Sequence, residues 1–330
     1  MLKNKKILYI GAKFFDYEKS IKHELELLGA EVTFYDDRPS NGVLMKVLLR
    51  LDLKFLINWN INNYYDGILS KIENKTFDYL FIVNPEALNK FYLEKIIDLQ
   101  PSAKSILYIW DAIFNKPNIS KLLGYFDKAF TFDSNDSEKL KINFLPLFYI
   151  DKYKSIKKQE NYKYDICFIG TAHSDRYKII KEIKKQFGNE IKMRVFLYLP
   201  SKLMYWIRKI FIKKYDYGDV SEFSFSPLSQ SEIINIFQNS RIVLDINHPL
   251  QFGLTSRTIE TLGAKRKLIT TNENIKKYDF YNENNITCIN RSNVAIDKLF
   301  FSSLYEDIDR TQYEFYSLEN WLKNIFKEEI

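Results

Sequence analysis

Short apolar runs recur along the first half of the chain, spaced so that a helix fits between them. Ile7-Leu8-Tyr9-Ile10 ends at Gly11, and Glu31 to Tyr35 is stopped by Asp36-Asp37-Arg38-Pro39. Tyr79 to Val83 ends at Asn84-Pro85, and Ser105 to Ile109 and Lys128 to Phe132 follow. Runs of roughly four to eight apolar residues bounded by turn formers predict strands. Tyr17 to Leu28, closed by Gly29, has helical spacing. Strands alternating with helices predict a parallel, doubly wound α/β sheet.

The pattern breaks at Leu145-Pro146-Leu147 and at the polar, Lys-rich run 151–163, which reads as a linker. It restarts at Tyr164-Asp165-Ile166-Cys167-Phe168-Ile169-Gly170, with a helix from about Asp175. Further strands are expected at Lys192 to Tyr198, Arg241 to Ile246 and Lys267 to Thr271. The echo of the opening strand–turn predicts two Rossmann-like halves, residues 1–150 and 164–312. An amphipathic helical segment, Phe315 to Phe326, lies in the remainder, 313–330. A length of 330 residues fits two domains at about 150 residues each.

Composition narrows the class. With 46% hydrophobic residues, 10 Gly and 8 Pro, the chain is globular and not low-complexity. The net charge of +7 suits anionic substrates or membrane surfaces and does not by itself argue for nucleic acid. Cys167 and Cys288 both sit in strand-like apolar runs, which points to a reducing compartment and not to a disulfide framework. The two cysteines and three histidines, His23, His173 and His248, have no metal-ligand spacing. Met1 to Lys6 runs directly into the first strand and does not read as a signal peptide. No uninterrupted apolar stretch reaches the ~20 residues that span a bilayer.

Two stretches depart from the soluble pattern. Leu44 to Trp59 is dense in Leu, Phe and Ile. Residues 202–214 mix Trp206, Ile210 and Phe211 with five bases, Lys202, Arg208, Lys209, Lys213 and Lys214, and no acid. Each reads either as a core helix with a wet face or as an interfacial amphipathic helix.

Ligands of open parallel sheets bind beyond the carboxyl ends of the strands. The loops placed there are Gly170-Thr171-Ala172-His173-Ser174-Asp175-Arg176, Asn247-His248-Pro249 and Gly253-Leu254-Thr255-Ser256-Arg257 in the second half, and Gly11-Ala12-Lys13, Asp36 to Asn41, Asn84-Pro85-Glu86, Trp110-Asp111 and Asp133-Ser134-Asn135-Asp136 in the first. Arg176 can grip a phosphate in bidentate fashion, or it is a solvated Arg beside a tight turn. His173 and His248 are either ligand contacts or structural. No GxGxxG follows either opening strand, which argues against a dinucleotide dehydrogenase.

The segment from Gln251 to Ala264 is the most informative. A turn at Gly253 opens a short helix carrying Arg257 and Glu260, followed by the strand-like Lys267 to Asn272. It resembles the donor site of glycosyltransferases with the two-domain GT-B fold. Tyr108 to Asp111, Phe144 to Leu147, Phe168 to Tyr177 and Phe223 to Ser229 with Glu232 are similar to segments of bacterial lipopolysaccharide and capsule biosynthesis proteins. The resemblance implies two Rossmann-like domains facing a cleft, with the C-terminal segment crossing back to the first. It implies a metal-independent transferase with no cofactor beyond its nucleotide-sugar co-substrate. Donor contacts would come from Gly170, Thr171, His173, Arg176, His248, Gly253, Leu254, Thr255 and Arg257, with Glu260 on the ribose. The retaining pattern has a second Glu eight positions earlier, where this chain has Phe252, so the stereochemistry stays open. An inverting enzyme needs a general base from the first domain: Asp111 beside Trp110, or Glu86, unless Asp111 only caps the next helix. The acceptor would be a glycan or lipid-linked glycan at the cytoplasmic face of the cell membrane, with an anionic lipid surface as a further partner and no nucleic acid. A nucleotide-sugar epimerase of the same fold and a non-catalytic nucleotide-sugar-binding protein remain open.

Overall fold

The computed structural model describes residues 1–50, 52–211 and 217–327. The chain divides into two compact units, 1–146 with 318–330, and 147–317.

The first unit is built on six parallel strands: β1 (Lys6–Gly11), β2 (Glu31–Asp36), β3 (Tyr79–Val83), β4 (Lys104–Ile109), β5 (Lys128–Thr131) and β6 (Asn143–Phe144), in the order β2-β1-β3-β4-β5-β6. Its helices are α1 (Tyr17–Leu27), α2 (Val43–Arg50), α3 (Asn58–Ile72), α4 (Lys90–Leu99) and α5 (Ser134–Leu140). β3 is buried along its whole length, and β1 and β4 expose only their first residue. Burial on both faces is why these strands read as continuous apolar runs and not as alternations. One face packs Ile61, Tyr65, Ile68 and Ile72 of α3 and Leu93 and Ile96 of α4 against Leu8, Ile82 and Leu107.

The second unit repeats the plan with β7 (Tyr164–Thr171), β8 (Met193–Tyr198), β9 (Phe223–Ser224), β10 (Ser240–Asp245), β11 (Lys267–Thr270) and β12 (Ile286–Cys288), all parallel, in the order β12-β11-β10-β7-β8-β9. Its helices are α6 (Asp151–Lys154), α7 (Arg176–Phe187), α8 (Lys202–Phe211), α9 (Gln230–Gln238), α10 (Ser256–Gly263), α11 (Leu299–Ser302) and α12 (Arg310–Phe315). α7 sends Ile179, Ile180 and Ile183 onto Ile166, Phe168 and Leu244. α9 opens with a reciprocal cap in which Ser229 and Glu232 bond each other's backbone, so Glu232 is consumed in starting the helix.

The run 151–163, read from sequence as a linker, lies in the second unit, where α6 packs against α10. The single helix expected over Phe315 to Phe326 is interrupted at Tyr316-Ser317, where Tyr149 takes Ser317 as a bridge partner. The helix then restarts as α13 (Leu318–Ile325), which belongs to the first unit. There Trp321 packs edge-on to Tyr108 with ring centroids 4.6 Å apart, and Phe326 lies 5.3 Å from Phe81.

Candidate functional site

In each sheet the strand order reverses once, and the crevice at such a reversal is where a doubly wound sheet takes its ligand. In the second unit, β8 and β9 run outward on one side of β7, and β10 to β12 on the other. The reversal lies between β7 and β10. The loops leaving these two strands carry residues 172–175 and 246–249.

Arginines crowd this point. Arg176, the first residue of α7, donates from Nε to the carbonyl of Ile246 at 2.7 Å and from Nη1 to that of Thr171 at 3.0 Å. It thereby ties the β7 loop to the β10 loop. Gly170 lies beneath it, where a Cβ would meet Arg176 Nη1 at 2.9 Å and push that side chain aside. Arg291, three residues past β12, pairs with Asp175 at 2.6 Å and donates to the Asn247 carbonyl at 2.6 Å. Arg208, from α8, donates to the carbonyl of Ala172 and lies 3.4 Å from the Tyr217 hydroxyl. Burial is the largest influence on Arg176, and together with Arg257 and Arg291 it pulls the guanidinium down to about 10, still a cation at neutral pH.

Both candidate histidines stand in this cluster, with ring centroids 5.8 Å apart. Burial first, then Arg176, His248, Arg208 and Arg291, push His173 down to about 3, so its ring is neutral at pH 7. His248 is lowered too, by burial first and then by Arg176 and Arg291, with Asp175 opposing. Three guanidiniums face two neutral rings, with Asp245 and Asp175 as the nearby acids. Such an arrangement attracts a multiply charged anion.

The Gly253 to Arg257 turn is fixed from below by Asp245, the last residue of β10. Its Oδ2 accepts from Thr255 Oγ1 at 2.8 Å and Thr258 Oγ1 at 2.7 Å. Thr255 also caps α10 by accepting from the Thr258 backbone N–H. Leu254 is buried, and Asn272 Nδ2 donates to the Gly253 carbonyl at 3.2 Å.

Arg257 and Glu260 stand apart from the arginine cluster in what they touch. From sequence, Glu260 is expected on the ribose, while Arg257 either pairs with Glu260 at helical spacing or faces the phosphates. The structure pairs them at 2.6 Å, with their side chains 16% and 5% exposed. Arg257 lies over the Phe237 ring at 5.1 Å, and the Tyr153 hydroxyl of α6 meets the pair. The physical reason is the face of α10 they occupy: Glu260 lies among Ile259, Leu262 and Gly263, all buried. Gly263 admits the Tyr149 ring, since a Cβ would come within 2.5 Å of its Cγ.

In the first unit, the reversal between β1 and β3 is lined by the loops after these strands. Asp37 organises it. Its carboxylate accepts from the backbone N–H groups of Glu86, Ala87 and Leu88 at 2.7, 2.8 and 3.0 Å and from the Tyr65 hydroxyl at 2.9 Å. Glu86 is bound by Arg38 Nε at 2.6 Å and by Lys116 Nζ. Burial alone would raise the Glu86 carboxyl, but the two cations outweigh it and bring it to about 2. Asp111 accepts from Asn84 Nδ2 at 3.0 Å and lies 3.1 Å from Lys116 Nζ. It does not cap a helix: the short 3-10 turn that follows has Ala112 at its cap position. Trp110 lies 6.2 Å from Phe14, centroid to centroid, across the β1 loop.

Sequence reasoning missed Arg291 and Arg208. β12 is only three residues long, so the loop after it went unmarked, although the apolar run around Cys288 was the available signal. Arg208 sits in the basic–aromatic stretch and was assigned to its outer face. Of those five bases, Arg208 and Lys209 turn back onto protein, Lys209 donating to the Tyr205 hydroxyl at 2.9 Å. Lys213 and Lys214 lie outside the described residues. Among the described residues no helix is long and apolar enough to cross a membrane, and no group of three His, Cys, Asp or Glu side chains is arranged to hold a metal.

No protein-family model matches the sequence, and no curated protein matches it. Solved structures do resemble it. A glycosyltransferase from Rickettsia africae ESF-5 is similar at a TM-score of 0.60 with 14% identity, over 99% of this chain and 100% of that one. The lipopolysaccharide outer core galactosyltransferase WaaB, in its apo form, gives 0.54 with 12% identity, over 97% of each chain. S. aureus MnaA, in a co-structure with UDP, gives 0.50 with 12% identity, over 97% of this chain and 91% of that one. At these identities the likeness is one of fold: the chain has the two-domain, Rossmann-like GT-B fold.

Proposed function

We propose that the protein is a glycosyltransferase that holds a nucleotide-sugar at the β7/β10 reversal of its second unit and passes the sugar to a glycan or lipid-linked acceptor in surface polysaccharide synthesis. The convergence of Arg176, Arg208 and Arg291 on that one crevice carries the reading. Fixed guanidiniums favour the diphosphate most as negative charge builds on it during bond cleavage, which is the differential stabilisation that speeds a reaction. Gly170, Thr171 and the Gly253–Thr255 turn would supply backbone contacts beside them. In this reading these arginines do the work a divalent metal does elsewhere, and no metal is needed. Arg257 and Glu260 brace α10 from behind.

On the acceptor side, Asp111 is the better general base. Its side chain is 43% exposed, against 18% for Glu86. A carboxylate at about 2 is a poor proton acceptor, so Glu86 anchors Arg38 and Lys116. Trp110 and Phe14 would offer ring faces to the acceptor sugar.

The deciding experiment is a thermal-shift screen against UDP-, GDP-, dTDP- and CMP-sugars, because a ligand that binds the folded state raises its melting temperature by mass action. One of them should stabilise the wild type, and Arg291→Gln should lose the effect. No stabilisation by any of the four would sink the reading.

A further inference from the structure

The anion site holds two ionisable rings that the transfer scheme above does not use. His173 sits at the carboxyl end of β7 with its Nδ1 3.1 Å from Ser174 Oγ, and its ring is 5.8 Å from that of His248. The charged groups facing His173 are Arg176 from α7, Arg208 from α8 and Arg291 from beyond β12. Those facing His248 are Arg176, Arg291 and Asp175. The Tyr217 phenol packs behind Arg208. Asp175, which faces His248, is already matched by Arg291 at 2.6 Å, and Asp245 offsets part of the charge on Arg176. Burial first, and then these guanidiniums, therefore keep both rings neutral in the absence of an anion. A bound diphosphate brings several negative charges to these arginines and reverses the sign of their field.

We propose that His173, with His248 beside it, is a proton-loading group of the anion site: neutral when the site is empty, and turned into an imidazolium donor by a bound diphosphate. This rests on the nucleotide-sugar reading above and deepens it. The proton comes from solvent as the ligand binds. When the bond between the sugar carbon and the diphosphate oxygen breaks, the electron pair stays on that oxygen. The imidazolium N–H donates a hydrogen bond to the leaving diphosphate. When the diphosphate departs, the field reverts and the proton returns to solvent. His173 would thus be a charge-matching group that avoids the cost of a permanent fourth cation in an already cationic crevice.

The chain has 3 histidines, so their ring Cε1–H signals can be followed by NMR without crowding. His23, exposed on α1 of the first unit, serves as the internal reference. The probe is inorganic pyrophosphate, and His173→Gln and His248→Gln variants assign the signals. Without pyrophosphate, the His173 signal should not titrate down to pH 5. At saturation the His173 signal should titrate, with its midpoint raised to the ordinary histidine value of about 6.5 or above, while His23 stays put. If pyrophosphate perturbs the His173 and His248 signals yet leaves the His173 midpoint unmoved, proton loading is wrong and the anion site stands. If pyrophosphate perturbs neither ring at any concentration, the anion site fails and this inference fails with it. With 3 histidines, a His23→Gln variant at the exposed α1 position completes the assignment by elimination, so one poorly folding variant cannot mask the result.

Discussion

Glu260 Oε2 lies 2.6 Å from Arg257 Nη1, three residues earlier on α10, and both side chains are largely withdrawn from solvent. The pair joins α10 to α6 through the Tyr153 hydroxyl. Breaking a buried pair from one side leaves the other charge uncompensated, which costs about 3–5 kcal/mol. Glu260→Ala should therefore lower unfolding free energy by that order in a denaturant titration. Replacing both partners with apolar residues, Arg257→Met with Glu260→Leu, should recover much of the loss. If Glu260→Ala instead leaves stability within about 1 kcal/mol of wild type and abolishes nucleotide-sugar binding, Glu260 is a donor ligand after all.

Acid should weaken the second unit through His173. Its folded value, about 3, lies below the ordinary 6.5, so the unfolded chain binds more protons between those limits. The stability it contributes is present above about 6.5 and is lost as pH falls toward 3, by up to about 1.4 kcal/mol per pH unit. Glu86 acts lower: its contribution is present above the ordinary 4.5 and is lost as pH falls toward about 2. Melting temperature followed from pH 7 to pH 5 should fall less in His173→Gln than in wild type, while Glu86→Gln should leave that slope unchanged. Equal slopes in wild type and His173→Gln would remove the histidine from the account.

Much of this was legible in the chain. The strands over residues 7–10, 79–83 and 164–170 emerge because parallel strands buried on both faces must be continuously apolar. The loops that follow them then locate the site by topology alone. What sequence hid has a common physical cause. Two- and three-residue strands such as β6 and β12 carry too few positions for a periodic signal, so Arg291 had no strand to mark it. Helix faces were also ambiguous. α10 bears a charged pair that spacing places equally well outside or inside, and only packing against Tyr153 and Phe237 decides. α8 is basic and aromatic around much of its circumference, so sequence could not say that Arg208 turns in.

Asp111 and Glu86 are both carboxylates within reach of Lys116, yet their substitutions should differ. With Asp111 as general base, Asp111→Asn should lower turnover about 100- to 10,000-fold while nucleotide-sugar affinity changes little. Glu86→Gln should act mainly on stability, by releasing Arg38 and Lys116 from a partner that both need. Steady-state kinetics with calorimetric donor binding separates the cases. Parallel loss of donor binding and rate in Asp111→Asn, or full activity, would exclude the base role.

The membrane expectation takes a different form once the faces of α8 are assigned. Leu203, Trp206, Ile207 and Ile210 are all exposed, at 69%, 51%, 40% and 60%. Their spacing of three, one and three residues makes one continuous stripe on the helix. Lys202 stands at its start, while Arg208 and Lys209 point back to Ala172 and Tyr205. An apolar stripe of this length is unusual on a surface meant for water, and it matches a helix that lies in a bilayer interface. Apolar insertion would then carry more of the binding than the headgroup charge, so salt should weaken attachment only in part. Trp206→Ser with Ile210→Ser should abolish co-sedimentation with phosphatidylglycerol-containing vesicles and leave nucleotide-sugar affinity intact, since both side chains are exposed on the outer stripe of α8. Arg208→Glu is the contrasting variant: it should harm donor binding and spare attachment. If the double serine variant sediments as wild type does, or if the wild type binds no vesicle of any composition, α8 is not a membrane contact.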